Sequence, residues 1–191
     1  MIGIKCGIGA LAFLLLSASG AVNIAESPAA PSPCVSDAAG YASESTLIEN
    51  RFLTGEYAVT MRLSIPAQWD YSIREAEAEA PDWGIHILPD GGEASLISVY
   101  GQYGTLNVSG FYPDEPAEFS TTVGMTGLRY IREYETPDGE KIVEQDIVFP
   151  RMDSGSYGVC IRMPQEVYDA YAQDIEHLLY SVEIDEEPKN P

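Results

Sequence analysis

The stretch LRYIREYETPDGEKIVEQDIVF, residues 128–149, contains two runs rich in aromatic and β-branched residues separated by a turn. Leu128–Tyr134 leads into Pro137-Asp138-Gly139, and the chain returns through Lys141–Phe149. Runs of this composition are typical of β-strands, and a Pro-Asp-Gly sequence between two such runs is typical of a tight turn. The stretch therefore predicts an antiparallel hairpin.

Four further segments show the same strand pattern. Trp83–Leu88 and Ser95–Tyr100 flank Asp90-Gly91-Gly92 and predict a second antiparallel hairpin. Glu56–Ile65 predicts a half-buried strand that precedes both hairpins, and Tyr157–Met163 predicts a late strand. In the late strand, Cys160 falls on the face opposite the apolar positions.

One segment has a clear helical period. After Pro164 and Gln165, apolar residues recur at steps of three and four and form one stripe, which predicts a surface helix. A weaker helix is expected within Tyr41–Asn50. Together these elements predict an α+β fold, an antiparallel sheet with helices packed on it.

The amino terminus carries a secretory signal pattern. Lys5 is followed by the uncharged run Cys6–Leu16 and by small residues up to Ala21, so we expect a signal peptide over residues 1–21. The apolar run is shorter than the ~20 residues of a membrane-spanning helix, although an uncleaved anchor stays open. Residues 22–44, rich in Pro, Ala and Ser, are expected to form a linker. The protein is accordingly predicted to be secreted or to lie in the cell envelope.

The charge balance excludes some classes of partner. The chain has 191 residues, with 30 acidic residues against 10 Lys and Arg, and a net charge of −20. Nucleic acids and anionic lipids bind clusters of Lys and Arg, so we expect neither as a partner. Membrane contact is expected only through an uncleaved signal segment. Residues 186–191 are expected to form a solvated acidic tail, which leaves 45–185 as the single folded domain.

The strand that ends in Ser64-Ile65-Pro66-Ala67-Gln68-Trp69 resembles the strand-Pro-x-x-Trp entry of PsbP-like domains. The turn at Asp138-Gly139, the late strand and the closing helix, which ends at Leu178–Glu183, agree with that pattern over residues 45–185. The chain is also similar to small secreted proteins of anaerobic Gram-positive bacteria. The resemblance implies a PsbP-like sandwich that binds other proteins, in families where catalysis is not the rule, and it transfers no active site.

No residue pattern points to a known catalytic site. The nucleophile elbow, zincin, P-loop and dinucleotide motifs are all missing from the sequence. Its two histidines, His86 and His177, have no recognisable partner motif, and no calcium loop or Cys/His cluster with metal-ligand spacing occurs. We therefore predict no catalytic residues, no metal and no cofactor. A small extracytoplasmic enzyme that uses His86 with a nearby carboxylate remains the alternative.

Aromatic residues are concentrated between Val99 and Tyr112, where three glycines separate them. Segments rich in Gly and Tyr can form adaptable contact surfaces, although the same rings can fill a packing face. We predict that the segment lines a groove for a partner or ligand, with Trp83 nearby. The candidate binding residues are Trp83, Tyr100, Tyr103, Phe111 and Tyr112.

Cys34 and Cys160 are the cysteines that follow the signal segment. An exported chain can form a disulfide, and such a bond would attach the linker to the late strand. Two separate reduced thiols and an intermolecular or redox role are the alternatives, and the sequence leaves all of them open.

The function expected from the sequence is a non-catalytic binding or accessory role toward an envelope or extracellular protein. The alternatives from other classes are the enzyme that uses His86 and a purely structural accessory protein.

Overall fold

The computed structural model describes residues 44–75, 82–89, 91, 94–150, 152–153 and 155–189. The expected signal peptide, residues 22–43 of the expected linker, Cys34 and most of the Asp90–Gly92 turn lie outside these residues. The described elements are β1 (Ser45–Thr54), β2 (Tyr57–Pro66), β3 (Asp70–Arg74), β4 (Asp82–Leu88), β5 (Leu96–Gln102), a 3-10 helix (Ser109–Phe111), β6 (Ala117–Ser120), β7 (Thr126–Glu135), β8 (Lys141–Phe149), β9 (Ser156–Pro164), α1 (Gln165–Ser181) and β10 (Glu183–Pro188).

The expected fold class, an α+β sheet with helices packed on it, is wrong. Strands take up 57% of the described residues and helices 15%, so the protein is mostly β, with two antiparallel sheets and one α-helix in the part described. The sequence reading missed β1, β3, β6 and β10, because they are short or lie at sheet edges, where polar residues interrupt the alternation.

The small sheet has the strand order β1-β2-β10, and the large sheet has the order β3-β4-β5-β9-β8-β7-β6. Every described strand pair is antiparallel. β9 lies at the centre of the large sheet between β5 and β8, and it leads through Pro164 directly into α1.

One apolar core joins the two sheets and the helix. It contains the alternate residues of β2, β4, β5 and β9 together with Ile175, Leu178 and Leu179 of α1. The helix packs mainly against β2, with further contacts to β8 and β9. A hydrogen bond of 2.8 Å from the Ser64 backbone N–H to Ser181 Oγ fixes the end of the helix against β2.

Both predicted hairpins are confirmed, since β4 pairs with β5 and β7 pairs with β8 in antiparallel register. The strands predicted at Glu56–Ile65 and Tyr157–Met163 correspond to β2 and β9, and the apolar stripe after Pro164 corresponds to α1. These predictions succeeded because each pattern is local and strongly periodic.

Two predictions at the ends of the domain are wrong. The weak helix expected within Tyr41–Asn50 is instead β1, in which Ile48 and Phe52 face the core and pair with β2. Half of the expected acidic tail, residues 186–188, belongs to β10. The guanidinium of Arg62, on β2, binds the carboxylates of Glu183 and Asp185, which offsets the repulsion between the acids of that strand.

A glycine on β5 makes room for a core tryptophan. Gly101 pairs with Trp83, and a Cβ atom at position 101 would lie 2.5 Å from Trp83 Cζ2. The indole ring therefore covers the glycine backbone on the core face, where it also packs 4.8 Å from the ring of Phe52.

We expect Gly101→Ala to lower the free energy of unfolding by about 1–3 kcal/mol, because the added methyl group overpacks the core against Trp83. Urea unfolding would measure the loss. Gly110→Ala is the matched control, since a Cβ atom at position 110 meets nothing within 4 Å. Equal effects of the two substitutions would contradict this packing.

Candidate functional site

The large sheet turns one face toward the core, and we call the opposite face the outer face. Side chains that alternate with the core residues lie on it. The strand register places one row of such residues across six strands: Ser72, His86, Ser98, Cys160, Asp146 and Tyr130. This row is polar, and it contains titratable groups within a sheet whose other face is apolar.

Residues 103–116, which connect β5 to β6, lie on the outer face, and we call them the covering segment. Its residues Leu106, Val108 and Tyr112 form a second apolar cluster with Tyr130 and Val148 of the sheet. The segment therefore has its own small core, separate from the main one.

Gly158 of β9 allows the covering segment to approach the sheet closely. A Cβ atom at this position would lie 3.0 Å from Leu106 Cδ2 and 3.1 Å from the hydroxyl of Tyr100. A larger residue would push the segment outward, so the glycine sets the distance between the segment and the outer face.

Two polar contacts hold the covering segment in place. The hydroxyl of Tyr112 donates a hydrogen bond of 2.8 Å to Oδ2 of Asp146, and Nη1 of Arg132 donates one of 2.9 Å to the carbonyl of Phe111. The guanidinium of Arg132 also lies 5.5 Å from the centre of the Tyr112 ring, a cation–π distance. Glu144 binds the same guanidinium and raises the pKa of Arg132.

Asp146 and Cys160 are paired neighbours beneath this segment. Burial raises the pKa of Asp146, and burial together with the Asp146 charge raises the pKa of Cys160 to about 12. A thiol with that pKa stays protonated at neutral pH, whereas nucleophilic and metal-binding cysteines react as thiolates. Burial and the bond to Asp146 also raise the pKa of Tyr112. The cluster of Tyr112, Asp146 and Cys160 is therefore suited to holding the segment and not to attacking a substrate.

A groove of about 470 Å³ lies between the covering segment and the end of the sheet formed by β6, β7 and β8. Apolar side chains dominate its lining, and Glu118 supplies a carboxylate from β6. The lining residues are Thr105, Leu106, Glu118, Phe119, Ser120, Thr126, Gly127, Leu128, Val148, Phe149, Pro150 and Ser156. Its volume is within the range of ligand-binding pockets in proteins.

The five predicted binding residues differ in burial, and they do not all lie on the same face of the sheet. Trp83 is buried in the core on the other side of the sheet, where its Nε1 has no hydrogen-bond partner among the described residues. Tyr112 is 8% exposed and has a structural role, and Tyr100 is half-buried beside Gly158. Phe111 and Tyr103 are 67% and 46% exposed, and they are the two of the five whose side chains are largely accessible to solvent.

His86 is half-buried on β4 and lies in the polar row of the outer face. Three strand spacings separate it from Asp146, a distance of about 14 Å. The carboxylate of the Tyr112 cluster is therefore not within hydrogen-bond reach of His86. The alternative of an enzyme that uses His86 gains no support from this cluster.

Cys160 is a free thiol within the described part of the chain. Its place on the face opposite the apolar positions of β9 is confirmed. Because Cys34 lies outside the described residues, the disulfide between Cys34 and Cys160 and its alternatives all stay open.

Sequence reasoning missed the groove and Asp146. Leu106, Leu128 and Val148 had no special pattern, because a groove arises from residues that are distant in sequence and meet only when the covering segment folds back. A signal for Asp146 did exist: it is a carboxylate that directly precedes the apolar run Ile147-Val148-Phe149 at the end of a strand.

Across the described ranges, no cluster of three His, Cys, Asp or Glu side chains could hold a metal ion, and no helix combines the length and apolar character needed to cross a bilayer. Comparisons with models of protein families and with curated proteins find no match to this chain.

We expect Asp146→Asn to change the pH dependence of stability. The folded-state pKa of Asp146 lies above its unfolded value of 3.8, so the stabilisation that its proton gives at low pH is lost as pH rises through the folded-state pKa. The asparagine side chain does not titrate. The free energy of unfolding of the variant relative to the wild type should therefore rise with pH above 3.8, by up to about 1.4 kcal/mol for each unit of pKa shift. Urea unfolding at a series of pH values measures it, and a constant difference would contradict the prediction.

We also expect slow alkylation of Cys160. Raising the pKa from 9.0 to about 12 lowers the thiolate population about a thousandfold near neutral pH. Iodoacetamide labelling at pH 8, read by peptide mass spectrometry, should modify Cys160 far more slowly in the folded protein than in urea. The variant Asp146→Asn should accelerate the folded-state reaction, since it removes a charge that disfavours the thiolate. Labelling at the same rate in folded and unfolded protein would show that the thiol is neither buried nor perturbed.

Proposed function

We propose that this protein is an exported, non-catalytic binding domain that recognises an envelope or extracellular protein through the outer face of its large sheet. The observation that carries the proposal is the covering segment, which is fixed to the sheet by its own apolar cluster and by the bond from Tyr112 to Asp146. A segment held in this way offers a preorganised surface, and preorganisation lowers the entropic cost of binding.

The chemistry of the groove indicates the kind of group it accepts. Its floor and walls include Leu106, Leu128 and Val148, which suit an apolar side chain. Glu118 at the groove and the net charge of −20 favour a partner segment that carries basic residues beside that apolar side chain.

The exposed rings of Phe111 and Tyr103 extend this surface. Both belong to the covering segment, and aromatic side chains are enriched among the residues that dominate binding energy at protein interfaces. The backbone of Phe111 is fixed by Arg132, so its ring is presented from an anchored position.

Two features of the sequence agree with the proposed binding role. The pattern of residues 1–21 is that of a secretory signal peptide, which agrees with a partner outside the cytoplasm. The resemblance to PsbP-like domains points to families that bind other proteins and in which catalysis is not the rule.

Capture experiments with matched variants test the proposal. Immobilised protein is incubated with solubilised envelope and with culture medium, and the bound proteins are quantified by mass spectrometry. Leu128 and Ile131 are both 42% exposed on β7 but lie on opposite faces of the sheet. We expect Leu128→Gln to reduce capture of a specific partner about tenfold or more, while Ile131→Gln leaves it unchanged.

A second pair of variants examines the exposed rings. Phe111→Ala should weaken capture of the same partner, whereas Tyr71→Ala, at an exposed ring on β3, should not. Failure of the wild type to capture any protein, or equal losses in the test and control variants, would overturn the proposal.

A further inference from the structure

β1 presents a ten-residue strand at the edge of the small sheet. Among the described elements, only β2 pairs with it, along the whole length from Ser45 to Thr54. The backbone N–H and C=O groups on the outward edge of such a strand can pair with another extended chain. Natural proteins commonly protect a long edge strand with charges, and β1 carries Glu49 and Arg51 near its centre.

The side chains of β1 that face away from the core are symmetric about Asn50. They are Leu47, Glu49, Arg51 and Leu53, and the two leucines are 65% and 59% exposed. If two copies of β1 pair antiparallel with the two-fold axis at Asn50, Leu47 lies opposite Leu53 of the second copy. Glu49 then lies opposite Arg51 of the second copy, so each charge meets one of opposite sign.

The core-facing side of the same strand supports the same register. The atoms Asn50 Nδ2 and Thr54 Oγ1 are buried and have no hydrogen-bond partner in the described part of the chain. Buried polar groups without partners are rare in native proteins. In the register centred on Asn50, the two Asn50 amides lie opposite each other, and Thr54 lies opposite Thr46 of the second copy. Amide pairs and Thr–Thr pairs across strands form hydrogen bonds, so rotation of the Asn50 and Thr54 side chains toward the edge would give both unpartnered atoms partners in the second copy.

We propose that β1 is a homodimerisation edge, at which two copies of the chain pair antiparallel about Asn50 and join their three-stranded sheets into one of six strands. The interface is isologous, as a two-fold dimer requires. The net charge of −20 on each copy opposes association, and the two Glu49–Arg51 pairs supply the local complementarity that offsets this repulsion.

The intramolecular ion pairs are compatible with this arrangement. Arg62 binds Glu49 from β2, and Arg51 lies 3.4 Å from Glu187 of β10. Both Glu49 and Arg51 are exposed at the edge, so each can reach its own sheet and the second copy. Charge would then alternate across the joined sheet, with Arg62 followed by Glu49 and then by Arg51 of the second copy.

Charge reversal tests the complementarity of the edge. Sedimentation velocity over a range of concentrations should show a reversible dimer for the wild-type protein. Glu49→Arg alone and Arg51→Glu alone each bring like charges together twice across the two-fold axis, so each should weaken the dimer about tenfold or more. The double variant restores opposite charges and should recover most of the affinity. Arg62 keeps Glu183 and Asp185 as partners in these variants, and circular dichroism verifies that each variant is folded.

Cysteine cross-linking tests the register. In Asn50→Cys, the two introduced thiols face each other, and mild oxidation should give a disulfide between the two copies that is identified by peptide mass spectrometry. In the control Leu53→Cys, the two thiols are six residues apart along the ladder, about 20 Å, and should not cross-link.

Three outcomes would overturn the proposal. The first is a wild-type protein that remains monomeric at every concentration. The second is a dimer whose affinity is the same in the wild type and in all three charge variants. The third is cross-linking of position 50 to residues 1–43 of the same chain, which would show that the chain's own amino-terminal region occupies the edge. None of these outcomes depends on the groove of the outer face, so this inference and the proposed function can fail independently.

Discussion

The alternation of side chains along β9 is the constraint on which the rest of the structure depends. Tyr157, Val159, Ile161 and Met163 are buried in the core that joins both sheets and α1. Because the period of a strand is two, the same alternation places Gly158 and Cys160 on the outer face. The space left by Gly158 admits the covering segment, and the position of Cys160 beside Asp146 creates the buried polar cluster. The core and the candidate site therefore lie on opposite faces of the central strand β9.

The sequence predicted the elements whose evidence is local. β2, β9 and α1 each have a regular apolar period over seven or more residues, and the two hairpins have turn residues between runs rich in aromatic and aliphatic side chains, so their own patterns identify them. The edge strands could not be found in this way. β10 is mostly acidic and is stabilised as a strand by Arg62, which lies 123 positions before Asp185. The acidic sequence of β10 is compatible with a strand because β10 pairs with β2, which carries Arg62.

In the candidate site, too, the features that could be predicted are those whose evidence is local in the sequence. The aromatic segment was recognised because its rings and glycines are close in sequence, and two of its rings, Tyr103 and Phe111, are exposed. The burial of Tyr112 against Asp146 was not predictable, because the two residues are 34 positions apart and meet only when the segment folds onto the sheet. Trp83 was predicted to line a groove with the aromatic segment, but its side chain lies in the core on the other side of the sheet, for a related reason. Its strand alternation alone did not show which face of the sheet would be covered by β1 and β2.

The two inferred surfaces lie on different sheets, so one can be occupied without covering the other. Pairing at β1 would give a particle with two identical grooves, and a partner with two binding segments could engage both. In such an arrangement the second contact forms at a high effective concentration, which raises the overall avidity above the affinity of a single groove.

The position of β10 also has a consequence for how the domain forms during synthesis. β1 and β2 are the first strands described and β10 is the last, yet β10 pairs with β2 in one sheet. A two-stranded hairpin is marginally stable in water by itself. Because a chain is synthesised from its amino terminus, β1 and β2 are made more than a hundred residues before the strand that completes their sheet. The small sheet therefore cannot be completed until the carboxyl-terminal strand has been made.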